Sequence, residues 1–242
     1  MKQAGQAREA GRRVAFFGGS FDPPHLGHVE VARAARAALG LDAVLFAPVG
    51  AQPLKASGST AGYEDRVAMT RLAIAGEPGF EISLADAPKA SGEPNYTLET
   101  LKGLRAELEG DCALYFLMGA DSFFGLGKWH RAAEIPFVAA LIVASRPGQR
   151  LDGLKAELPP GLTMEDAESR SEAREGLEVR RFLLRNEAGL TAEFYLLPGL
   201  DVGISASDIR AGIRDGAGDA AGGRALLPAA VAEYVQEHGL YR

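Results

Sequence analysis

The stretch Gly18-Gly19-Ser20-Phe21-Asp22-Pro23-Pro24-His25-Leu26-Gly27-His28 puts two imidazoles three residues apart, just after a glycine pair and a proline-bearing loop. It follows the apolar run Val14-Ala15-Phe16-Phe17 and precedes an alanine-rich stretch, so a buried strand ends at glycine, crosses a loop and enters a helix. Histidines at that spacing share one helical face, and they stand where a helix's first amides attract anions. Glycines let the backbone approach phosphate oxygens without a Cβ in the way. Two adjustable cations beside unpaired N–H groups make a seat for a triphosphate. Zinc is the competing reading, but no third ligand stands beside the pair and His130 is distant along the chain.

Three further groups could join such a site. In Ser205-Ala206-Ser207-Asp208-Ile209-Arg210, Ser205 with Asp208 reads as a helix cap. Ser207 and the helix amides can bind phosphate, and Arg210 projects from the first turn as a forked cation. Gly119-Ala120-Asp121-Ser122 follows the most apolar run of the chain and reads either as a simple turn or as a placement of Gly119 and Asp121 at the mouth of a crevice. Trp129, the single tryptophan, offers a flat face to an aromatic ring, although core filling is its commoner use. Asn95-Tyr96-Thr97 opens a helical stretch with Thr97 as its cap, and Lys55 by itself reads as a solvated loop lysine.

Short apolar runs alternate with helical periodicity, the pattern of a doubly wound, mainly parallel α/β sheet whose ligands bind beyond the strands' C-terminal ends. Strands are predicted at Arg13–Phe17, Ala43–Ala47, Phe80–Leu84, Ala113–Met118 and Phe137–Ala144. Helices are predicted around Val29–Leu39, Tyr63–Ile74 and Leu98–Leu108, and two C-terminal helices at Ser205–Arg214 and Pro228–His238. Glu178–Leu184 and Thr191–Leu197 read as one more strand or a hairpin around Asn186–Gly189. Residues 13–242 are expected to form a single domain, with 1–12 as a flexible leader and 151–175 as a polar surface excursion.

A chain of 242 residues with 47% hydrophobic and 24% charged residues is an ordinary globular composition. Its net charge of −6 argues against nucleic acid or an anionic membrane as partner, while permitting a local basic pocket. No apolar run approaches the ~18 residues of a membrane span. A single cysteine, Cys112, allows no internal disulfide and fits the reducing cytoplasm.

Taken together, the motifs resemble the bacterial nicotinate-nucleotide adenylyltransferases of the nucleotidyltransferase superfamily. Gly19–His28 carries the signature Gly-Ser/Thr-Phe-Asp-Pro-x-His-x-Gly-His, and Ile204–Arg210 carries the second, Ile-Ser-Ser/Ala-Thr/Ser-x-Ile-Arg. Asn95–Leu101, Met118–Ser122, Trp129-His130 and the ending Leu227–Tyr241 are similar to that family in particular. The resemblance implies a Rossmann-like nucleotidyltransferase fold and the reaction of nicotinate mononucleotide with ATP to give nicotinate adenine dinucleotide and pyrophosphate, in NAD biosynthesis. It implies His25, His28 and Arg210 as catalytic contacts to the triphosphate. Gly18, Gly19, Ser20, Phe21, Gly119, Asp121, Ser205 and Ser207 would complete the ATP site. Lys55, Tyr96, Thr97, Asp121 and Trp129 would meet the pyridine nucleotide, with Trp129 stacking on its ring. Magnesium would arrive with ATP, no protein metal site is expected, and a homo-oligomer is left open. The family usually carries Pro-Pro-His-Lys where this chain has Gln52-Pro53-Leu54-Lys55, which leaves Lys55 as the expected contact to the mononucleotide phosphate. Rival readings are an adenylyltransferase for nicotinamide mononucleotide or pantetheine phosphate, and a nucleotide-binding regulator without catalysis.

Overall fold

A computed structural model describes residues 11–54, 58–145, 151–167, 172–174, 177–200, 203–215 and 223–242. Most of the expected leader therefore lies outside the described residues. The amino-terminal half runs β1 (Arg13–Gly19), α1 (Leu26–Leu39), β2 (Ala43–Pro48), α2 (Tyr63–Ala73), β3 (Phe80–Ile82), α3 (Thr97–Glu107) and β4 (Ala113–Gly119). Two short helices, α4 (Ala120–Phe124) and α5 (Ile135–Val138), lead to β5 (Ala140–Ala144). Then follow α6 (Leu151–Ala156), β6 (Leu162–Asp166), β7 (Glu172–Arg174), β8 (Leu177–Asn186), β9 (Thr191–Leu197), α7 (Ala206–Arg214) and α8 (Ala229–Glu237).

The strands lie in the order β3-β2-β1-β4-β5-β9-β8-β6, with β7 beside β8. From β3 through β9 every neighbouring pair is parallel, and β8 turns antiparallel to β9, β6 and β7. This is the doubly wound α/β architecture expected from the sequence. Chain order reverses between β1 and β4, which opens a crevice beyond their C-terminal ends. Alternation along β1 feeds two cores. Ala15 and Phe17 pack with Ala32 and Ala35 of α1, Met69 of α2 and Val231 of α8, while Phe16 packs with Leu98, Leu101 and Leu104 of α3. Helices on both faces explain why these strands read as unbroken apolar runs.

Four expectations need correction. The third strand stops at Ile82, two residues short of Leu84. The apolar run from Phe137 does not start a strand, because Ile135–Val138 forms a helical turn with Pro136 in its first positions and only Ala140–Ala144 joins the sheet. Residues 151–175 are less of an excursion than expected, since α6 buries Leu154 and β6 pairs with β8 as a sheet edge. Thr97 is not a cap: Tyr96 holds that position and no side chain closes the start of α3. The segment 178–197 resolves as a hairpin, turning where Asn186 Oδ1 accepts the Leu190 N–H at 2.9 Å. Among the described residues no helix is long and apolar enough to cross a membrane.

Candidate active site

Little room is left for a side chain where β1 ends. A Cβ at Gly18 would come within 2.8 Å of the Phe16 ring, and one at Gly19 within 3.2 Å of the Phe21 ring. Phe21 itself turns left-handed at φ 46° while 99% buried, with 1% of its surface exposed. That conformation is costly for a residue with a bulky side chain and is held here by packing. Phe21 meets Phe17 edge-on at 5.6 Å and His28 at 4.9 Å between ring centroids.

The loop delivers the histidines to the first turn of α1. Their rings stack at 3.7 Å, and His28 Nδ1 accepts the His25 backbone N–H at 3.2 Å. With Nδ1 occupied as an acceptor, the proton of neutral His28 resides on Nε2 and is available to donate. His25 is 6% exposed and its Nδ1 is buried with no hydrogen-bond partner. The sequence suggested a pair of cations, but burial holds both neutral. It lowers His25 from its ordinary 6.5 to about 4, and drives His28 well below that ordinary value, where repulsion between the two rings when both are protonated adds to the effect.

In the unfolded chain a histidine protonates near 6.5, whereas folded His25 does so near 4. Between those values the unfolded state carries more protons, so acidification favours unfolding, by up to about 1.4 kcal/mol per pH unit for each such histidine. Denaturant titrations at pH 7 and pH 4.5 should show the loss, and His25→Gln should reduce it, with the share of His28 remaining. An equal loss in the parent and in His25→Gln would mean that the His25 imidazole is not desolvated.

Arg210 approaches from α7, whose first turn is capped by Ser205 accepting the Asp208 N–H at 3.5 Å. The Arg210 guanidinium donates to the Asp22 carbonyl at 2.6 Å and to Ser207 Oγ at 3.3 Å. Two of its five N–H groups are thereby used, leaving donors for a ligand.

Two cavities meet at this point. One, of about 490 Å³, is lined by Phe21, His25, His28, Gly119, Asp121, Ser205, Ser207 and Arg210 together with Gly18, Gly19 and Ser20. The other, of about 520 Å³, is lined by Tyr96, Thr97 and Trp129 and by the same Gly18, Gly19 and Ser20. The end of β1, with Ser122 opposite, is their common wall. The structure thus gathers every candidate in the described residues into one double cleft. Asp121 belongs to the first cavity alone, not to the side of Tyr96 and Trp129. Lys55 lies outside the described residues.

Several residues that sequence reasoning did not single out shape the cleft. Gln52 donates to Ser20 Oγ at 2.6 Å across the loops that follow β1 and β2. Asp86 is buried, raised by desolvation and answered by the Thr100 hydroxyl at 2.6 Å. Lys128 lines the aromatic cavity beside Trp129. Arg66, 2% exposed, donates to the carbonyls of Ser20 at 2.7 Å, Val49 at 2.8 Å and Ala61 at 3.3 Å, so one guanidinium ties three loop segments together. Among the described residues no three His, Cys, Asp or Glu side chains form a group fit to hold a metal ion.

Residues 16–212 match the cytidylyltransferase-like family. The chain is 40% identical over 234 residues to the probable nicotinate-nucleotide adenylyltransferase of Stenotrophomonas maltophilia (strain K279a), covering 94% of this chain and 96% of that one. It is 38% identical over 229 residues to the probable nicotinate-nucleotide adenylyltransferase of Aeromonas hydrophila subsp. hydrophila, covering 95% and 97%. The solved structure of Plasmodium falciparum nicotinic acid mononucleotide adenylyltransferase complexed with NaAD shares the fold, with a TM-score of 0.67 over 95% of this chain and 97% of that one at 16% identity. On the strength of these identities and coverages, the chain belongs to the nicotinate-nucleotide adenylyltransferase family.

Proposed function

We propose that the chain transfers the adenylyl group of ATP to nicotinate mononucleotide, forming nicotinate adenine dinucleotide and releasing pyrophosphate, a step of NAD biosynthesis in the cytoplasm. The observation that carries this reading is the pair of cavities with a shared glycine wall, one rich in donors and the other faced by aromatic rings. A two-substrate transfer needs two such compartments meeting where the bond forms.

The mononucleotide phosphate attacks the α-phosphorus in line. It is already ionised, so no general base is required and no covalent enzyme intermediate forms. Both partners are anions, and the work of the protein is to appose them and to place donors where charge develops. Arg210, His25 and His28 face the triphosphate, with Gly18, Gly19, Ser20 and Phe21 shaping the loop beneath it and Gly119, Asp121, Ser205 and Ser207 bordering it. Neutral His28 donates from Nε2, and an arriving polyanion raises both imidazoles toward protonation. Magnesium is carried in as part of the ATP complex. The cleft suits that role, because its side chains facing phosphate are mainly donors and the Asp22 carboxylate is already taken by backbone N–H groups of Thr60 and Ala61.

On the other side, Trp129 offers its face to the pyridine ring. The start of α3 at Thr97 has no side-chain cap, which leaves helix amides for the nicotinate carboxylate and favours acid over amide. Lys128 and Gln52 stand on the mononucleotide side, where Lys55 is also expected to act. A substrate panel read by pyrophosphate release, with saturating ATP and magnesium, tests the reading. Nicotinate mononucleotide should outpace both nicotinamide mononucleotide and pantetheine phosphate, and equal or faster turnover of either rival would overturn it. Trp129→Ala should raise KM for the mononucleotide about 5–100-fold, the scale of one lost stacking contact, with KM for ATP nearly unchanged.

A further inference from the structure

Asp22 is the junction of the phosphate loop. Its side chain is 5% exposed and accepts three hydrogen bonds from two distant parts of the chain. The Thr60 N–H reaches Oδ2 at 2.6 Å, and the Ala61 N–H reaches Oδ1 at 3.0 Å. The third donor is the Tyr241 hydroxyl, 2.8 Å from Oδ1 and 219 residues away in sequence. Arg210 Nη1 stands 3.9 Å from Oδ2, an ion-pair distance, while its hydrogen bond goes to the Asp22 backbone carbonyl at 2.6 Å. Arg66, the other nearby guanidinium, is already committed to three carbonyls.

We propose that Tyr241 is a positioning residue for the phosphate clamp: by donating to Asp22 it keeps that carboxylate satisfied, so that Arg210 stays on the loop carbonyl with its remaining donors open to ATP. Tyr241 is 6% exposed and is not among the residues lining either cavity, so it acts through Asp22 and not on substrate. The physical reason is competition. A buried carboxylate oxygen that loses a donor recruits the nearest cation able to move, and Arg210 is that cation. Each step Arg210 takes toward Asp22 withdraws it from the triphosphate side of the cleft.

The inference rests on the adenylyl-transfer reading, and the two can fail separately. Isothermal calorimetry with magnesium–ATP alone measures the clamp without the second substrate. Tyr241→Phe removes one oxygen and should weaken ATP binding about tenfold, as for a lost hydrogen bond to a buried charge. Binding of nicotinate mononucleotide should change less than twofold. Arg242→Ala loosens the adjacent residue, which bonds the Gln236 carbonyl at 3.2 Å, and should leave both affinities as they are. A purely structural role for Tyr241 would instead move both ligands together. Incorporating 3-fluorotyrosine at 241 makes the hydroxyl a stronger donor to Asp22 and should tighten ATP binding relative to the parent; should Tyr241→Phe not hold the fold, an affinity equal to the parent's in this variant would overturn the inference. Equal ATP affinities in parent and Tyr241→Phe would overturn the inference; a parent that neither binds nor turns over ATP would overturn the reading beneath it.

Discussion

Replacing His28 by alanine should lower turnover about 10²–10³-fold, the loss seen when a preorganised donor to developing oxyanion charge is removed. The imidazole is locked between Phe21 and His25 and has its Nδ1 occupied by backbone, so its Nε2–H is aimed before substrate arrives and costs no reorganisation. Steady-state rates with saturating ATP and mononucleotide measure the effect, with circular dichroism to show that the fold persists. Near-normal rates would remove the imidazole from the chemistry. His28→Gln, which is neutral but keeps an N–H donor, should recover part of the loss if donation rather than full charge is the larger contribution.

The second large effect is expected at Arg210. Its truncation to alanine should cost about 2–4 kcal/mol of transition-state stabilisation, equivalent to roughly 30–1,000-fold in kcat/KM for ATP. The guanidinium stands between the phosphate loop and α7, bonded to Asp22 and Ser207, so it is held in place without having all its donors consumed. Arg210→Lys should remain well below the parent, because a single ammonium cannot hold the loop carbonyl and Ser207 while also gripping phosphate in a fork. If Arg210→Ala left kcat/KM for ATP intact, α7 would be a structural helix only.

Much of this cleft was legible in local sequence. The glycine–histidine loop names its own geometry, since strand, glycine pair and helix start are consecutive, and the order of apolar runs fits a parallel sheet with its switch point beside β1. What escaped notice depended on distance or on ambiguous pattern. Arg66 resembles any helical arginine until its reach to Ser20, 46 residues earlier, is seen. Tyr241 is a lone tyrosine near the end of the sequence, with no neighbour to mark its partner. The edge strand β6 buries chiefly Leu162 and leaves polar residues outward, so its alternation is too weak to distinguish from a surface loop. The strand expected at Phe137–Ala144 began too early for the opposite reason: Phe137 and Val138 continue the apolar run without a break, and so short a stretch carries no period to mark the helical turn that Pro136 opens.

Two of the residues that line both cavities are Gly18 and Gly19, where an added methyl group would crowd the rings of Phe16 and Phe21. A single inhibitor bridging both compartments would therefore lean in part on a surface where replacement at Gly18 or Gly19 pushes against the rings behind the phosphate loop. Escape from such a compound would have to come from the periphery, at the aromatic rim or the outer loops, where the enzyme has more freedom to change.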